Sequence, residues 1–258
     1  MRDGVADLGN AKLWYWDTGG PGEAIVLLHP GSGSAEFYPY QRRAFADAGY
    51  RVISYSRRGQ YGSDIGTDPD SSFAADDLLH LMRFLEVERF HAVGNALGGY
   101  IALDVALSHP ERVMSLVLAC SMMGIAEPEY TRALQSVRPK GFDDLPMEEK
   151  ELGPSYRAAN PVGVAEWKKL HERSGTRSPV RLRTRITWAA LAGLKVPTLL
   201  LTGDADLWIP PDVLRQVGDR IPGSKVVIVP GSGHAVQWEQ PELFNAAVLG
   251  FIRAAARP

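Results

Sequence analysis

The chain has 258 residues, of which 45% are apolar and 22% charged, with a formal net charge of -2. That length supports one large α/β domain, or one domain with an insertion, and the near-neutral balance leaves no basic footprint for nucleic acid. A single cysteine, Cys120, excludes an internal disulfide and suits a reducing compartment.

No apolar run approaches the roughly 20 residues of a membrane span. The opening stretch from Met1 to Asp7 lacks the apolar core of a secretory signal. The expectation is a soluble cytoplasmic protein that engages neither membrane nor nucleic acid.

In chain order, Lys12–Trp16 predicts an early antiparallel strand after a turn at Gly9-Asn10. Ala24–His29 is a continuous apolar run ending in loop residues, the pattern of a strand covered on both faces. Arg51–Ser56 is another. Between Phe73 and Val87, Leu78, Leu79, Met82 and Leu85 recur at helical spacing, opposite Asp76, Asp77 and His80. Phe90–Asn95 predicts a strand, Leu97–Leu107 a helix and Val113–Ala119 a further strand.

From Met122 to Ala192 the alternation stops. Glu129–Val137, Met147–Ala159, Val162–Arg173 and Arg185–Gly193 read as short helices broken by Pro and Gly. The stretch is also charge-segregated, acidic from Asp143 to Glu151 and rich in Lys and Arg from Lys168 to Arg185. Strands resume at Thr198–Leu201 and Lys225–Val229, with helices at Pro211–Asp219 and Pro241–Ala256. The fold expected is α/β, a mainly parallel doubly wound sheet with helices on both faces. Residues 1–121 and 193–258 form its core, and residues 122–192 a helical cap inserted over the carboxyl ends of the strands.

Where the strand Phe90–Asn95 meets the next helix, Gly94-Asn95-Ala96-Leu97-Gly98 reads G-x-A-x-G. With a serine hydroxyl at position 96 it would be the nucleophile elbow G-x-S-x-G, whose glycines serve a sharp strand-to-helix turn. Four further blocks sit at strand ends: the stretch Leu27–Gly33, Ser56–Ser63, Leu200–Asp206 and Pro230–Pro241. In this order the five blocks resemble the α/β-hydrolase superfamily nearly end to end, with the helical insertion in the position of the family's cap.

The resemblance implies a nucleophile, acid and histidine at Ala96, Asp206 and His234. A serine hydroxyl is a poor nucleophile until a histidine takes its proton, and a carboxylate must hold that histidine in the right tautomer. His234 lies in a flexible Gly-Ser-Gly-His loop. Of the two candidate acids, the family's spacing after Gly203 selects Asp206, leaving Asp204 as a loop or capping residue. The end of the preceding strand offers Cys120, Ser121 and Met122 and no carboxylate, so Cys120 reads as a small buried residue. The oxyanion donors implied are the N–H groups of Leu97 and Gly31. Pro30 departs from the family's usual glycine and has no N–H to offer. Gly31-Ser32-Gly33 lacks the spacing of a nucleotide-binding loop, and no residue cluster has metal-ligand spacing. No cofactor and no metal are expected.

For the substrate, Trp208, Trp188, Met122 and Phe37 (with Tyr38 beside it) are candidate walls of an apolar pocket, although aromatic side chains more often serve packing. Trp238, between Gln237 and Glu239, reads as structural, and the basic run as a solvated cap surface. The function expected is hydrolysis of a small apolar ester or lactone, inactive as written because position 96 is alanine. The intact partners at Gly31, Asp206 and His234 favour an engineered serine-to-alanine replacement over a natural binding pseudoenzyme. An original aspartate nucleophile fits less well, since the families that use one carry Trp where this chain has Leu97. Carbon–carbon bond hydrolysis by the same triad is the alternative within enzymes.

Overall fold

Eight strands form one sheet in the computed structural model, which describes residues 2–175 and 179–255. In the first part of the chain these are β1 (Arg2–Asp7), β2 (Lys12–Asp17), β3 (Ala24–Leu28), α1 (Pro39–Asp47), β4 (Arg51–Tyr55), α2 (Ala74–Phe84), β5 (Phe90–Asn95), α3 (Leu97–Ser108) and β6 (Val113–Ala119). The insertion carries α4 (Pro128–Ser136), α5 (Met147–Glu151), α6 (Pro154–Ala159), α7 (Pro161–Arg173) and α8 (Trp188–Ala192). The chain then returns through β7 (Thr198–Gly203), α9 (Pro211–Gly218), β8 (Lys225–Val229), α10 (Val236–Glu239) and α11 (Pro241–Ala255). The expected helix end at Ala256, and Arg177 of the basic run, lie outside the described residues.

The strand order is β1-β2-β4-β3-β5-β6-β7-β8. Only the β1–β2 and β2–β4 pairs are antiparallel; the other five pairs are parallel. The mainly parallel α/β sheet is thus present. It buries both faces, and the period-two alternation of β3 shows how. Val26 and Leu28 join one core with α2, α3 and α9, whereas Ile25 and Leu27 join the other with α1 and α11. A strand sandwiched in this way has no polar face, hence its unbroken apolar sequence.

Local differences from the sequence expectation have identifiable causes. Strand β1 and helix α1 were not anticipated. β1 is an edge strand with mostly exposed side chains, and it exists by pairing with β2 from Arg2↔Asp17 to Asp7↔Lys12. The expected Met147–Ala159 helix is two helices, because Gly153 enters extended and Pro154 starts the second. Trp238 belongs to the separate short helix α10 and is buried, 3% exposed.

Among the described residues, 122–192 add no strand to the sheet. Several bonds fasten this insertion to the core. Asp104 of α3 accepts from the N–H groups of Arg183 and Thr184 at 2.8 Å each. Three of its basic residues form ion pairs, Lys168 with Glu148, Arg173 with Glu36 and Arg183 with Asp76. No helix among the described residues is long and apolar enough to cross a membrane.

The tightest joint is the β5–α3 corner. A Cβ on Gly98 would overlap the carbonyl oxygen of Leu28, and one on Gly94 would overlap the backbone of Gly98 and Gly99. Gly98→Ala is therefore expected to cost about 3 kcal/mol of stability, since backbone cannot yield as a side-chain tip does. Urea unfolding measures this, and an unchanged midpoint would contradict the packing described.

Candidate active site

Strands β3, β5, β6, β7 and β8 run parallel, so their carboxyl ends lie along one edge of the sheet. Ala96, Asp206 and His234 all follow such ends, where the site of an open α/β sheet is expected. Ala96 has φ 48° and ψ -115°, outside the regions that an L-residue normally occupies. Two bonds hold it there: its N–H donates to Ala119 O at 2.9 Å, and its carbonyl accepts from Ser121 Oγ at 2.7 Å. A backbone so held is over-determined by its surroundings and stores of order 1–3 kcal/mol.

His234 donates from Nδ1 to Asp206, with 2.9 and 2.8 Å to the two carboxylate oxygens. Asp206 also accepts from Thr202 Oγ1 at 2.6 Å, Trp208 N at 2.8 Å and Ile209 N at 3.1 Å. Burial alone would raise the Asp206 pKa, but the His234 charge and these donors hold it below the usual carboxylate value. The converse holds for His234. Burial pushes its pKa down, and Asp206, followed by Glu151, more than reverses that, leaving it raised. The two directions agree, as they must for one coupled pair. With Nδ1 committed to Asp206, Nε2 is left for the proton of a nucleophile.

The neighbours of Ala96 and His234 join the two residues. Asn95 Nδ2 donates to Gln237 Oε1 at 2.8 Å, and Tyr38 OH donates to Asn95 Oδ1 at 3.1 Å and to Leu28 O at 2.7 Å. Gln41 completes the chain through Gln237 O at 2.9 Å. The loop after β3 is pinned from three sides. Arg57 donates to the carbonyls of His29 and Pro30, Gln60 to those of Gly33 and Gly31, and the His171 ring meets Ser32 O at 2.7 Å. The backbone N–H of Arg57 donates to His29 Nε2, which requires a neutral imidazole with its proton on Nδ1, toward Pro30 O. Burial, then the Arg57 charge, keep the His29 pKa well below its usual value. These constraints seat Gly31 against Leu97, whose side chain a Gly31 Cβ would meet at 3.4 Å. Leu97 is the first residue of α3, so its N–H belongs to the helix end that points donors outward.

Glu239 ties the cap to the histidine loop. Its carboxylate accepts from Gly153 N at 2.6 Å, Gly233 N at 2.9 Å and Ala235 N at 3.2 Å, while His234 N donates to Glu151 O at 2.7 Å. Despite these donors, burial pushes its pKa from 4.5 to about 7.

Not every expected pocket residue arrives. Trp208 does: its ring lies 5.8 Å from that of His234. Met122 is half-buried, with its carbonyl accepting from Tyr130 OH. Phe37 instead is 1% exposed and packs edge-on against Trp167 of the cap. Trp188 faces Tyr130, donates from Nε1 to Glu129 and has Arg220 over its ring, so it braces α4 and α9. Asp204 is exposed and accepts from Ser232 N, whereas Asp206 holds the histidine. Cys120 is fully buried at φ 50°.

Thr202, Glu239, Gln237 and Asn95 carry no role in the sequence expectation, and Tyr38, expected as a pocket wall, instead bonds Asn95 and Leu28. Polar residues inside otherwise apolar, buried runs were the available signal. Cys120, Asp206 and His234 bring one donor atom each within 4.8 Å of one another. Burial, then Asp206, push the Cys120 thiol well above its usual pKa, and Asp206 and His234 already satisfy each other. A metal here would need a thiolate and a broken hydrogen bond, so this donor set suits the pair rather than an ion.

The model of the Alpha/beta hydrolase family matches residues 25–247. A relative from Caulobacter sp. (strain K31), named as the carbamate hydrolase RutD, is 30% identical over 99% of this chain and 100% of its own. A 2-hydroxy-6-oxononadienedioate/2-hydroxy-6-oxononatrienedioate hydrolase of Burkholderia vietnamiensis is 30% identical over 96% and 93% of the two chains. Among solved structures, a thermophilic esterase from Thermogutta terrifontis superposes with a TM-score of 0.81 at 25% identity, covering both chains entirely. The enol-lactonase of Burkholderia xenovorans LB400 gives a TM-score of 0.79 at 22% identity, covering 97% of this chain and 100% of that one.

Two outcomes are expected from this geometry. Ala96→Gly should stabilise the protein by about 1 kcal/mol, because glycine occupies positive φ without strain; a loss of stability by urea titration would remove the strain argument. Glu239 has its folded pKa raised from 4.5 to about 7, so the folded state binds more protons in that window. Its contribution is complete below pH 4.5 and lost as the pH rises to about 7. Relative to Glu239→Gln, which does not titrate, the parent's urea midpoint should fall across this range, and parallel pH curves would refute it.

Proposed function

The chain belongs to the alpha/beta hydrolase family, and on that premise we propose that its site is built for acyl transfer from a small, largely apolar ester or lactone. Ala96 stands at the nucleophile position, in the place of a replaced serine. The observation that carries this reading is the strained backbone at Ala96 combined with an intact Asp206–His234 pair. An alanine gains nothing from φ 48°, whereas a serine there would lift its hydroxyl out of the turn toward the histidine.

With a serine hydroxyl at position 96, Nε2 of His234 takes its proton as the oxygen attacks the substrate carbonyl. Asp206 stabilises the resulting imidazolium. The N–H groups of Leu97 and Gly31 receive the oxyanion. The imidazolium returns the proton to the leaving alkoxide, and a water activated by the same nitrogen then releases the acyl group. As written, the chain lacks the attacking oxygen and binds without turnover; removing the nucleophile of a serine protease costs about 10⁶ in kcat. No step needs a cofactor. The buried thiol of Cys120 suits a reducing compartment, and cytoplasmic residence is part of the proposal.

Carbon–carbon hydrolysis is the second reading. It is favoured by the relative named for a 2-hydroxy-6-oxo dienedioate substrate, and uses the same proton relay. The Ala96→Ser variant is expected to hydrolyse p-nitrophenyl butyrate at least about 10³-fold faster than the parent chain. Adding His234→Ala should return the rate to the parent level. A folded Ala96→Ser protein inert across esters, lactones and vinylogous diketones would sink the hydrolase reading, and tight binding without turnover would then identify a binding protein.

A further inference from the structure

Arg138 follows α4 and was not among the residues expected at the site, yet it lies close to two of them. Its guanidinium carbon is 5.3 Å from the centroid of the Trp208 ring and 4.9 Å from that of Phe142. Those rings meet edge to face at 4.9 Å, and Trp208 in turn neighbours the His234 ring at 5.8 Å. From the other side, Arg138 Nη2 reaches Met122 Sδ at 4.0 Å. Met122 follows Ser121, whose hydroxyl holds the Ala96 carbonyl. Arg138 thus stands between the histidine side and the elbow side of the site. It borders a cavity of about 310 Å³ that is also lined by Tyr100, Met122, Ile125, Tyr130 and Leu134.

The chemistry of this corner is one-sided. Arg138 Nε is buried with no hydrogen-bond partner, and so is Trp208 Nε1. Among the described residues, the one side-chain hydrogen bond of Arg138 goes to sulfur, a weak acceptor. A second cation borders the same ring: Lys150 Nζ lies 5.5 Å from the Phe142 centroid. Buried donors left without acceptors cost about 1–3 kcal/mol each. A ligand group that only accepts hydrogen bonds, and carries negative charge, would suit the Arg138 guanidinium where it lines this cavity. Aromatic faces hold the guanidinium plane while leaving its edge for a bidentate acceptor.

We propose that Arg138, held against the Trp208 ring, recognises a carboxylate on the substrate, so that the preferred ligand is an ester with an apolar stem and a free carboxylate at its far end. This rests on the reading of the acyl-transfer site given above. It assigns Arg138 a specificity role: it anchors the acyl chain and lets the ester carbonyl reach position 96.

The Ala96 chain itself provides the test, because it binds without cleaving. Isothermal titration is carried out with monomethyl adipate, an anion, and dimethyl adipate, its neutral counterpart. The anion should bind at least about 10-fold more tightly, the scale of one charge-assisted hydrogen bond. Arg138→Met should abolish that preference while leaving the neutral diester's affinity unchanged, and Arg138→Lys should restore part of it. Equal affinities in the parent chain, or a preference that survives Arg138→Met, would overturn the proposal. An arginine that served packing alone would weaken both ligands together, which also counts against it. Hydrolysis of p-nitrophenyl butyrate by Ala96→Ser, with and without Arg138→Met, reports on the acyl-transfer reading separately. Activity that persists without anion preference leaves that reading standing and removes this one.

Discussion

Everything at the carboxyl edge of the sheet is referenced to one close backbone approach. The first turn of α3 lies against the Leu28 carbonyl of β3, at a distance that only glycine at position 98 permits. Gly94 allows the strand below to fit under the same turn. Between them the chain reverses through Ala96 at positive φ. This corner aims the N-terminal N–H groups of α3 at the sheet edge, where the helix dipole favours negative charge. It also sets Leu97 beside Gly31, so the strain at Ala96 and the placement of the proposed oxyanion donors are consequences of a single packing constraint.

Around that corner, the burial of charge is the second organising problem. Asp206 is 2% exposed, and an isolated carboxylate there would be protonated. Thr202, two backbone N–H groups and the imidazole of His234 supply enough donors to keep it ionised. His29 and Cys120 are equally buried and stay neutral, because burial is reinforced by the Arg57 charge beside one and the Asp206 charge beside the other. Glu239 lies between these cases. Three backbone N–H groups approach it from the cap and from both sides of His234, and burial still dominates. The cap is therefore a structural part of the site: it accepts the His234 N–H at Glu151 and donates Gly153 to Glu239.

Much of this was legible in the chain. The alternation of apolar strands and helices predicts the parallel sheet, because a strand covered on both faces has no polar side to show. The elbow, Asp206 and His234 were legible because each sits in a short motif whose glycines and spacing serve a backbone need. The edge strand β1 was not, since exposed side chains carry no periodic signal and the strand exists only through its pairing with β2. The pocket was read less well than the motifs. Phe37 and Trp188 have the composition of pocket walls, but one is locked under Trp167 and the other braces α4 against α9. Aromatic content near a motif does not say which way a ring points.

The sequence by itself determined the doubly wound core, the strand-to-helix corner at Ala96 and the order of the chemistry-bearing blocks. Those features depend on local propensity, period and glycine placement, all of which are written residue by residue. Only the tertiary structure decided which polar residues support the site. Asn95, Gln237 and Glu239 meet their partners across large sequence separations, and Arg138 reaches Trp208 and Met122 from a helix end in the cap. Such contacts arise when separate elements pack at fixed distances, and no short-range pattern encodes them.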